Sequence, residues 1–448
     1  MIDTICALAT APGGALGIIR VSGPEALETV NRIADKDVNK FLPNSAHFVH
    51  LVSENGNFVD ECMITIFKAP HSYTGEDSVE ISCHGSRYIL NKVLELLIAN
   101  GCRMATPGEY TMRAYLNGKL DLSQAEAVAD LIASTNKATH QMAMSQLRGG
   151  ISSELSRLRE QLLRLTSLLE LELDFSDHED LEFADRTELL ELAKTIDKNI
   201  TKLSHSFEIG QAIKQGIPVA IIGKTNVGKS TLLNRLLHEE RAIVSDVHGT
   251  TRDTIEDTID LQGVTFRFID TAGIRQTTDQ VEKIGIERTY SAIEKARIIL
   301  WVVDQEPTAK EFKDIKEHTE NKKLIIVKNK IDKDDFAFFT TVTFPLISIS
   351  AKQGTNIPQL EQAIYQAAGI PTLSDTDVIV SNARHYDALV RAHSSVQRVL
   401  DGLEKQLSGD LLSEDLRQTL DILSEITGGQ ITPNEVLGNI FKHFCVGK

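Results

Sequence analysis

The stretch Val219-Ala220-Ile221-Ile222-Gly223-Lys224-Thr225-Asn226-Val227-Gly228-Lys229-Ser230 decides the fold of the central third of the chain. Its four leading apolar residues predict a buried strand, and the residues from Thr231 to Leu237 continue with helical spacing. Between strand and helix lies the pattern G-x-x-x-x-G-K-[ST], in which backbone N–H groups turn inward on phosphate oxygens and the helix dipole adds to their attraction. A chance match would not require the flanking strand and helix. We predict a nucleotide site in which Lys229 reaches the β- and γ-phosphates and Ser230 ligates Mg²⁺.

Three further motifs each follow a predicted strand. Asp270-Thr271-Ala272-Gly273 follows Phe266 to Ile269, and it suits the second shell of Mg²⁺ and the γ-phosphate. Asn329-Lys330-Ile331-Asp332 follows Leu324 to Lys328, and Ser350-Ala351-Lys352 ends the strand from Leu346. Polar groups at the carboxyl ends of neighbouring strands meet at one edge of an open sheet. Together these motifs predict a GTPase.

Asp332 predicts which base is bound. A carboxylate can accept two hydrogen bonds from N1 and N2 of guanine, whereas adenine has no such donor pair and would leave the carboxylate unpaired.

One expected group is missing. Small regulatory GTPases use a glutamine after the D-x-x-G glycine to orient the attacking water, but Ile274 stands there and cannot do so. No arginine stands out as a finger. Hydrolysis therefore needs a substitute for both groups, or the protein is a slow switch.

Composition narrows the possible partners. The formal net charge of −16 argues against broad electrostatic binding of nucleic acid, so any RNA contact needs a local basic patch or a basic partner. No apolar run approaches the ~18 residues of a membrane span. The start of the chain lacks the basic region of a secretion signal, and the five cysteines are scattered without a C-x-x-C pair. A cytoplasmic protein is the expectation.

Regions with two other kinds of predicted secondary structure flank the nucleotide segment. Residues before about 118 predict mixed α/β structure, with strands at Gly17–Val21, Cys62–Phe67 and Val79–Cys83 and a helix at Tyr88–Ile98. Long helices follow, opened by a capping box at Ser123–Glu126 and continued by a leucine stripe from Ile151 to Leu169. Helices at 189–203, 386–403 and 411–426 lie on both sides of the nucleotide segment. We therefore predict one helical domain that is split by an inserted α/β domain.

An acidic cluster interrupts the first group of long helices. It consists of Asp174, Asp177, Glu179, Asp180 and Glu182. Such a cluster is compatible with a metal site or with a solvated loop between helices, and charge runs favour the loop.

The whole chain resembles the MnmE (TrmE) family, the tRNA wobble-uridine modification GTPases. Within the nucleotide segment the matching motifs are residues 223–230, Gly249-Thr250-Thr251-Arg252-Asp253, residues 270–273 and Val281-Glu282-Lys283-Ile284-Gly285-Ile286-Glu287-Arg288. Outside it they are Tyr73-Thr74-Gly75-Glu76-Asp77, Pro107-Gly108-Glu109, Asn117-Gly118-Lys119-Leu120-Asp121-Leu122 and Phe444-Cys445-Val446-Gly447-Lys448. The last two groups distinguish this family from other GTPases. Thr225 departs from the usual proline of the family, at a position that holds no ligand.

The resemblance implies a fold of α/β plus all-α class in four segments. Residues 1–118 would form an α+β, folate-binding-like domain that dimerises, and residues 119–215 the first part of the helical domain. Residues 216–371 would form the inserted P-loop, Ras-like GTPase domain, and residues 372–448 the second helical part with a C-terminal cysteine tail.

The resemblance also implies the nucleotide and metal ligands. Mg²⁺ would be held by Ser230 and Thr251, and K⁺, in place of an arginine finger, by Asn226, Ser245, Val247 and Thr250 when two GTPase domains meet transiently. Glu282 would position the attacking water and act in catalysis with Lys229. By residue type alone, Asn226 could be a plain turn residue and Glu282 a solvated helix carboxylate. The implied GTP ligands are Gly223, Asn226, Val227, Gly228, Lys229, Ser230, Thr231, Ser245, Asp246, Val247, His248, Gly249, Thr250, Thr251, Asp270, Thr271, Ala272, Gly273, Asn329, Lys330, Asp332, Ser350, Ala351 and Lys352.

A second site is implied for 5-formyl- or methylene-tetrahydrofolate, at Arg20, Glu80, Lys119 and Lys448. A carboxylate suits the N–H edge of the pterin, and a cation suits the glutamate tail. Cys445 is either part of the modification chemistry or a tolerated free thiol.

The implied function is that of a homodimeric, K⁺-stimulated GTPase that acts with a flavoprotein of the MnmG (GidA) type. The pair would add an aminomethyl or carboxymethylaminomethyl group to C5 of the wobble uridine (U34) of certain tRNAs, with a folate supplying the one-carbon unit. A GTP-driven switch in ribosome assembly shares the GTPase motifs and remains the alternative. Such a switch needs neither the first 118 residues nor the Cys445 tail.

Overall fold

The computed structural model describes residues 3–53, 55–174, 186–239, 257–269, 282–333, 344–371 and 377–429, and residues 437, 440–442, 444 and 447 of the tail. The chain divides into two units. Unit 1 is built from residues 1–133, 143–204 and 384–448, and unit 2 from residues 134–142 and 205–383. The predicted division into four segments stays a prediction.

Unit 1 begins with a six-stranded sheet of order β3-β4-β5-β2-β1-β6. Neighbouring strands are antiparallel except β1 and β6, which are parallel. Two helices, α1 and α2, pack against the sheet through residues such as Val30 and Leu90. The predicted strands and the predicted helix in this region are confirmed. The elements are β1 (Ile5–Leu8), β2 (Leu16–Ser22), α1 (Ala26–Asn31), β3 (Ala46–Val52), β4 (Phe58–Phe67), β5 (Ser78–His84), α2 (Arg87–Ala99) and β6 (Arg103–Met104).

The rest of the described part of unit 1 is helical. The predicted leucine stripe lies on α6, where every member from Ile151 to Leu169 is buried. Helix α13 packs against α6, so the two ends of the helical part come together across the inserted segment. The helices are α3 (Glu109–Leu116), α4 (Leu122–Ala133), α5 (Lys137–Leu147), α6 (Gly150–Asp174), α7 (Arg186–Gln215), α12 (Ala383–Glu404) and α13 (Gly409–Thr427). Helices α5 and α7 each contribute residues to both units.

The predicted capping box at Ser123 is wrong by two residues. Helix α4 begins at Leu122, and Asp121 accepts a hydrogen bond from the Gln124 amide at 2.9 Å. Gln124 Oε1 accepts in return from the Asp121 amide at 3.0 Å, which is the reciprocal pattern of a capping box. Glu126 is therefore released from capping, and it lies buried against Arg384 and His385.

Unit 2 is an open sheet of order β12-β11-β10-β7-β9-β8, parallel except for β8. Helices α8 and α11 cover one face, together with Ala138 and Met142 of α5, and α9 and α10 cover the other. The chain runs from β7 to β9 on one side and to β10 on the other, so the strand order reverses at β7. The elements are β7 (Ile217–Ile222), α8 (Lys229–Glu239), β8 (Asp257–Leu261), β9 (Val264–Phe268), α9 (Glu282–Lys295), β10 (Ile298–Val303), α10 (Ala309–His318), β11 (Lys323–Lys328), β12 (Leu346–Ser348) and α11 (Ile357–Ala368).

Two sequence expectations concern membranes and metals. No helix among the described residues combines the length and the apolar character that a bilayer crossing requires. The acidic run from Asp177 to Glu182 lies outside the described residues, so the choice between a metal site and a loop stays open.

A buried ion network joins two of the family motifs in unit 1. The Arg113 side chain is 1% exposed and donates to Glu109 at 3.0 Å and to Glu76 at 3.1 Å. Glu109 also accepts from Arg103 at 2.6 Å and from the Thr106 amide at 2.8 Å. Burial by itself would raise the pKa of Glu109, but these hydrogen bonds outweigh it and lower the pKa to about 2.

Glu109→Gln should therefore loosen α3 in a pH-dependent way. Because the folded pKa lies below the ordinary value of 4.5, the stabilisation is complete above that pH and is lost as the pH falls toward 2. The pKa shift of Glu109 corresponds to about 3 kcal/mol of stabilisation. Where α3 opens locally, the loss of this stabilisation at pH 7 should make amide exchange in residues 109–116 roughly 100-fold faster. Hydrogen-exchange mass spectrometry should find the exchange rates of the two proteins converging as the pH approaches 2.

Glu95→Gln serves as the control, because the ion pair of Glu95 with Lys92 is exposed. Equal exchange of α3 in wild type and Glu109→Gln at pH 7 would show that the network does not hold this helix.

Candidate nucleotide-binding site

The phosphate loop (residues 223–230) follows β7 at the point where the strand order reverses. Gly223 has φ +144°, and a Cβ there would lie 2.2 Å from the Val302 carbonyl oxygen. Gly228 has φ +101°, and a Cβ there would lie 2.3 Å from Asn329 Nδ2. Both positions therefore require glycine, for backbone conformation and for space. Asn226, between them, also has a positive φ of 64°.

Lys229 is the first residue of α8 and lies across the loop. Its Nζ donates to the carbonyl oxygens of Gly223 at 2.6 Å and Lys224 at 2.7 Å. Burial lowers the pKa of Lys229. Ser230 and Thr231 follow in the first turn of α8, where free backbone N–H groups attract anions. A cation and a helix N-terminus thus meet at the place predicted for phosphate.

Asn329 ties the loops after three strands together. Its amide nitrogen donates to the Val227 carbonyl at 2.8 Å, and its amide oxygen accepts from the Ala351 backbone N–H at 3.0 Å. The side chain is buried, so the loss of either partner would leave a desolvated polar group. The predicted base residues are therefore fixed directly to the phosphate loop.

Lys330 adds a second connection. Its Nζ donates to the Asn226 carbonyl at 2.6 Å and to Asp304 Oδ2 at 2.6 Å. Asp304, just beyond β10, is a site residue that sequence reasoning missed. Its position after a parallel strand is the available signal, since such strand ends meet at the site.

Asp332 is exposed and accepts a hydrogen bond from the Ser350 hydroxyl at 2.6 Å. This bond lowers the pKa of the Asp332 carboxyl and keeps it an acceptor. An ionised carboxylate with acceptor capacity left over is what two N–H donors of a purine base require. Arg235 of α8, a second residue that sequence reasoning missed, donates to the carbonyls of Ala351 and Lys352.

Several predicted residues lie outside the described part of the chain. These are Ser245, Asp246, Val247, His248, Gly249, Thr250, Thr251, Asp270, Thr271, Ala272 and Gly273, with Cys445 and Lys448 in the tail. Glu282 begins α9, but its side chain is outside the described set. The predicted K⁺ set, the second Mg²⁺ ligand and the water-positioning role therefore stay predictions. No cluster of three metal-binding side chains occurs among the residues that are described.

A cavity of about 230 Å³ lies beside the phosphate loop. It shares Gly223, Lys224 and Val227 with the loop, and Trp301 and Tyr290 line it. Asp304 also lines it, whereas Lys229 and the predicted base residues do not, so the cavity adjoins one side of the nucleotide site.

In unit 1, the sheet register places Arg20 directly opposite Glu80. The two side chains form an ion pair at 2.7 Å, and the guanidinium lies 5.7 Å from the ring centres of Tyr73 and Tyr110. Arg20 also donates to the Gly447 carbonyl of the C-terminal tail at 3.3 Å. Strand β2 with Arg20, strand β5 with Glu80 and the C-terminal tail therefore meet at the place predicted for the folate.

Lys119 borders the same turn that carries Tyr73. Its Nζ donates to the Pro70 carbonyl at 3.0 Å, and a Cβ on Gly75 would lie 3.3 Å from Lys119 Cγ. Asn117 donates to the Thr74 carbonyl at 2.7 Å. The motifs at 73–77 and 117–122 are thus packed together.

The fold and site are those of a P-loop protein of the guanine-nucleotide class. The features that define this class are the mainly parallel sheet, the glycine-dependent phosphate loop, and Asn329 and Asp332 after β11. Two family models match the chain: "GTP-binding protein TrmE N-terminus" over residues 4–119 and "MnmE helical domain" over residues 122–445. The chain belongs to the MnmE family of tRNA modification GTPases. This membership confirms the predicted class of enzyme, a GTP hydrolase involved in tRNA modification.

Similar proteins match along their whole length. A tRNA modification GTPase MnmE of Phocaeicola vulgatus is 54% identical, covering 100% of this chain and 99% of that protein. The protein of the same name from Flavobacterium johnsoniae is 49% identical, with the same coverage. Among solved structures, the G domain of the T. maritima FeoB iron transporter is 22% identical over 34% of this chain and 98% of that chain. The TM-score of this match is 0.26.

Gly223→Ala should strongly destabilise unit 2. The new Cβ would meet a backbone oxygen of the adjacent strand β10, which cannot move aside, at a φ that side chains rarely adopt. We expect a loss of about 3 kcal/mol or more. Trp301, the only tryptophan of the chain, is buried in β10, so its fluorescence in urea reports on this unit.

Gly369→Ala is the matched control. Gly369 also has a positive φ, of 63°, but a Cβ there would have nothing within 4 Å, so only about 1 kcal/mol should be lost. Equal urea midpoints for the two variants would contradict the role of close packing at Gly223.

Proposed function

We propose that this chain hydrolyses GTP as part of the modification of the wobble uridine of tRNA. The observation that carries the proposal is the identity of 54% to a tRNA modification GTPase along the full length of both chains. The nucleotide site supports it, because Lys229 and the phosphate loop suit a triphosphate and Asp332 with Asn329 suits guanine. Transfer RNA is the corresponding substrate, and the cytoplasm is the corresponding place of action.

The phosphates of GTP would lie against the backbone of the phosphate loop and Lys229. The Ser230 hydroxyl, in the first turn of α8 next to Lys229, is a hard oxygen donor that fits Mg²⁺, and Thr251 would supply the second. Bound Mg²⁺ would neutralise charge on the phosphate oxygens. Within the chain itself, Lys229 holds positive charge at the phosphates and Glu282 would orient the attacking water, which Ile274 cannot do.

K⁺ is proposed in the place of an arginine finger. Lys330 holds the carbonyl of Asn226, so the backbone of this residue is fixed at the turn of the phosphate loop. The amide oxygen of Asn226 would coordinate K⁺ together with Ser245, Val247 and Thr250. A fixed cation near the phosphates can stabilise developing charge as a guanidinium does.

The second site is proposed for a reduced folate. The donor set around Arg20 fits such a ligand: an ion pair with Glu80, a Tyr73 ring that is 38% exposed and an adjacent ammonium at Lys119. Glu80 would accept from the N–H edge of the pterin, while Lys119 and Lys448 would hold the carboxylates of the tail. The folate would supply the one-carbon unit, and an MnmG-type flavoprotein would act as partner. Cys445 is retained as a candidate for this chemistry.

A homodimer through the N-terminal unit is part of the proposal. The outer face of the β3–β4 pair carries Phe48, Phe58 and Met63, which are 45%, 61% and 39% exposed. Neighbouring exposed apolar side chains of this kind are typical of a contact surface, and a second copy of the chain is the proposed occupant.

The alternative function is a GTP-driven switch in ribosome assembly. A switch needs a nucleotide site, but it does not need the Arg20–Glu80 pair or a tail that reaches it. These features favour the modification enzyme.

Deletion of the last four residues tests the function and separates the two possibilities. The tail contributes no GTPase motif, so hydrolysis should continue at a near-normal rate. Reduced-folate binding should weaken, because the Lys448 cation and the Gly447 carbonyl that Arg20 contacts are removed. Mass spectrometry of tRNA nucleosides should find the wobble modification missing in cells that carry only this variant.

Cys445→Ser, which is nearly isosteric, serves as the comparison and should leave hydrolysis intact. Complete wobble modification in the tail-deleted strain would defeat the folate-site assignment. Normal modification in a strain that lacks the whole gene would defeat the proposed function itself.

The monovalent ion gives a second test. If Asn226 holds K⁺, GTP turnover should be at least about tenfold faster in K⁺ than in Na⁺, as expected for one electrostatic contact in the transition state. Asn226→Ala should remove this difference with little change in GDP affinity. Asn226→Gly should behave alike, since glycine accommodates the φ of 64° without strain.

Equal rates of the wild type in the two salts would reject the K⁺ site. Loss of the difference in the alanine variant but not in the glycine variant would assign the effect to backbone strain instead.

A further inference from the structure

Arg235 contacts the nucleotide site from a position that belongs to none of the sequence motifs. It lies on α8, six residues after Lys229, which corresponds to about 9 Å along a helix. Its Nε donates to the Ala351 carbonyl at 3.3 Å and its Nη2 donates to the Lys352 carbonyl at 2.8 Å. The helix that begins at the phosphates therefore also holds the loop of the base site.

A series of hydrogen bonds connects the Lys352 carbonyl, which Arg235 contacts, to Asp332. The carbonyl that Arg235 contacts belongs to the same peptide plane as the Gln353 N–H. That N–H donates to Ser350 Oγ at 3.2 Å, and Ser350 Oγ donates to Asp332 Oδ1 at 2.6 Å. Each member of such a chain polarises and orients the next.

Arg235 holds the carbonyls of Ala351 and Lys352 within this loop. The Ala351 N–H is taken by Asn329, which fixes the front of the loop. The Ser350 carbonyl accepts from the backbone N–H groups of Gly354 at 2.8 Å and Thr355 at 3.2 Å, and the next two carbonyls accept from the guanidinium of Arg235. A planar group with several fixed donors suits two adjacent carbonyls better than an ammonium does.

We propose that Arg235 is a positioning residue for guanine recognition: it orients the Ser350–Lys352 loop and, through Ser350, the Asp332 carboxylate. The proposal rests on the proposed function, because it assumes that Asp332 binds the N1 and N2 groups of guanine. Arg235 itself touches neither the base nor the phosphates in this role.

The test compares GTP with inosine triphosphate (ITP), which lacks the 2-amino group. In the wild type, Asp332 should favour GTP over ITP in kcat/KM, because ITP offers one donor fewer. Arg235→Ala should lower this preference about tenfold, mainly by raising KM for GTP, with kcat nearly unchanged because the γ-phosphate end is untouched. Arg235→Lys should recover part of the preference, since it can still donate to one carbonyl.

A double-mutant cycle identifies the route. Ser350→Ala should itself lower the preference, and Arg235→Ala should add little in that background if both act on Asp332 through one chain. Full additivity would overturn the route through Ser350. Asn234→Ala, at an exposed neighbouring position on the same helix, is the control and should retain the wild-type preference.

A merely structural role would lower kcat/KM for the two nucleotides equally and would leave their ratio unchanged, which would overturn the proposal. The fluorescence of Trp301 monitors folding, and the lysine variant keeps the test decisive if the alanine variant unfolds. A wild type without any preference for GTP would instead refute guanine recognition, and with it the proposed function.

Discussion

The nucleotide site depends on one close approach, between the Asn329 side chain and the backbone of Gly228. The amide nitrogen occupies the space that a Cβ at position 228 would fill, and it reaches the Val227 carbonyl only because that space is free. Its oxygen holds the Ala351 N–H. Three loops after three different strands are thereby fixed relative to one another by a single buried amide. Because Lys229 and Ser230 follow Gly228 immediately, the positions of the phosphate-binding groups depend on this same contact.

Unit 1 uses a charged group for a similar purpose. Arg113 is almost fully buried, and it connects α3, the turn that carries Glu76 and the start of β1 through Asp3. A buried guanidinium is costly without partners, so the three carboxylates are required once Arg113 is present. Glu76 in turn accepts from Ser22 at the end of β2, two residues after Arg20. The network thus also supports β2, the strand that presents Arg20.

The helices and strands could be predicted from the sequence, but the side-chain contacts between residues far apart in the chain could not. Strand and helix periodicity gave β7, β9, β11, α6 and α13, because each is determined by its own pattern of burial. The capping box was misplaced because Asp121–Gln124 and Ser123–Glu126 are overlapping frames of the same pattern, and only the buried pairing of Glu126 separates them. The roles of Arg235 and Asp304 were missed because no local pattern marks a side chain that binds a distant carbonyl. Likewise, the pairing of Arg20 with Glu80 follows from the register of β2 and β5, which depends on the whole sheet.

Two glycines allow the C-terminal tail to pack closely against the N-terminal part of the chain. Gly108 has φ +69°, and a Cβ there would lie 2.8 Å from the Phe441 carbonyl oxygen, while a Cβ on Gly447 would lie 2.4 Å from the Leu8 carbonyl oxygen. The tail therefore lies against the start of α3 and against β1, and both contacts need a residue without a side chain. Gly108 contacts the tail, and the next residue, Glu109, begins α3 and belongs to the ion network. The Pro107-Gly108-Glu109 motif therefore takes part in both contacts. The Gly447 carbonyl then reaches Arg20. A ligand that displaced this carbonyl from Arg20 would therefore act directly on the tail.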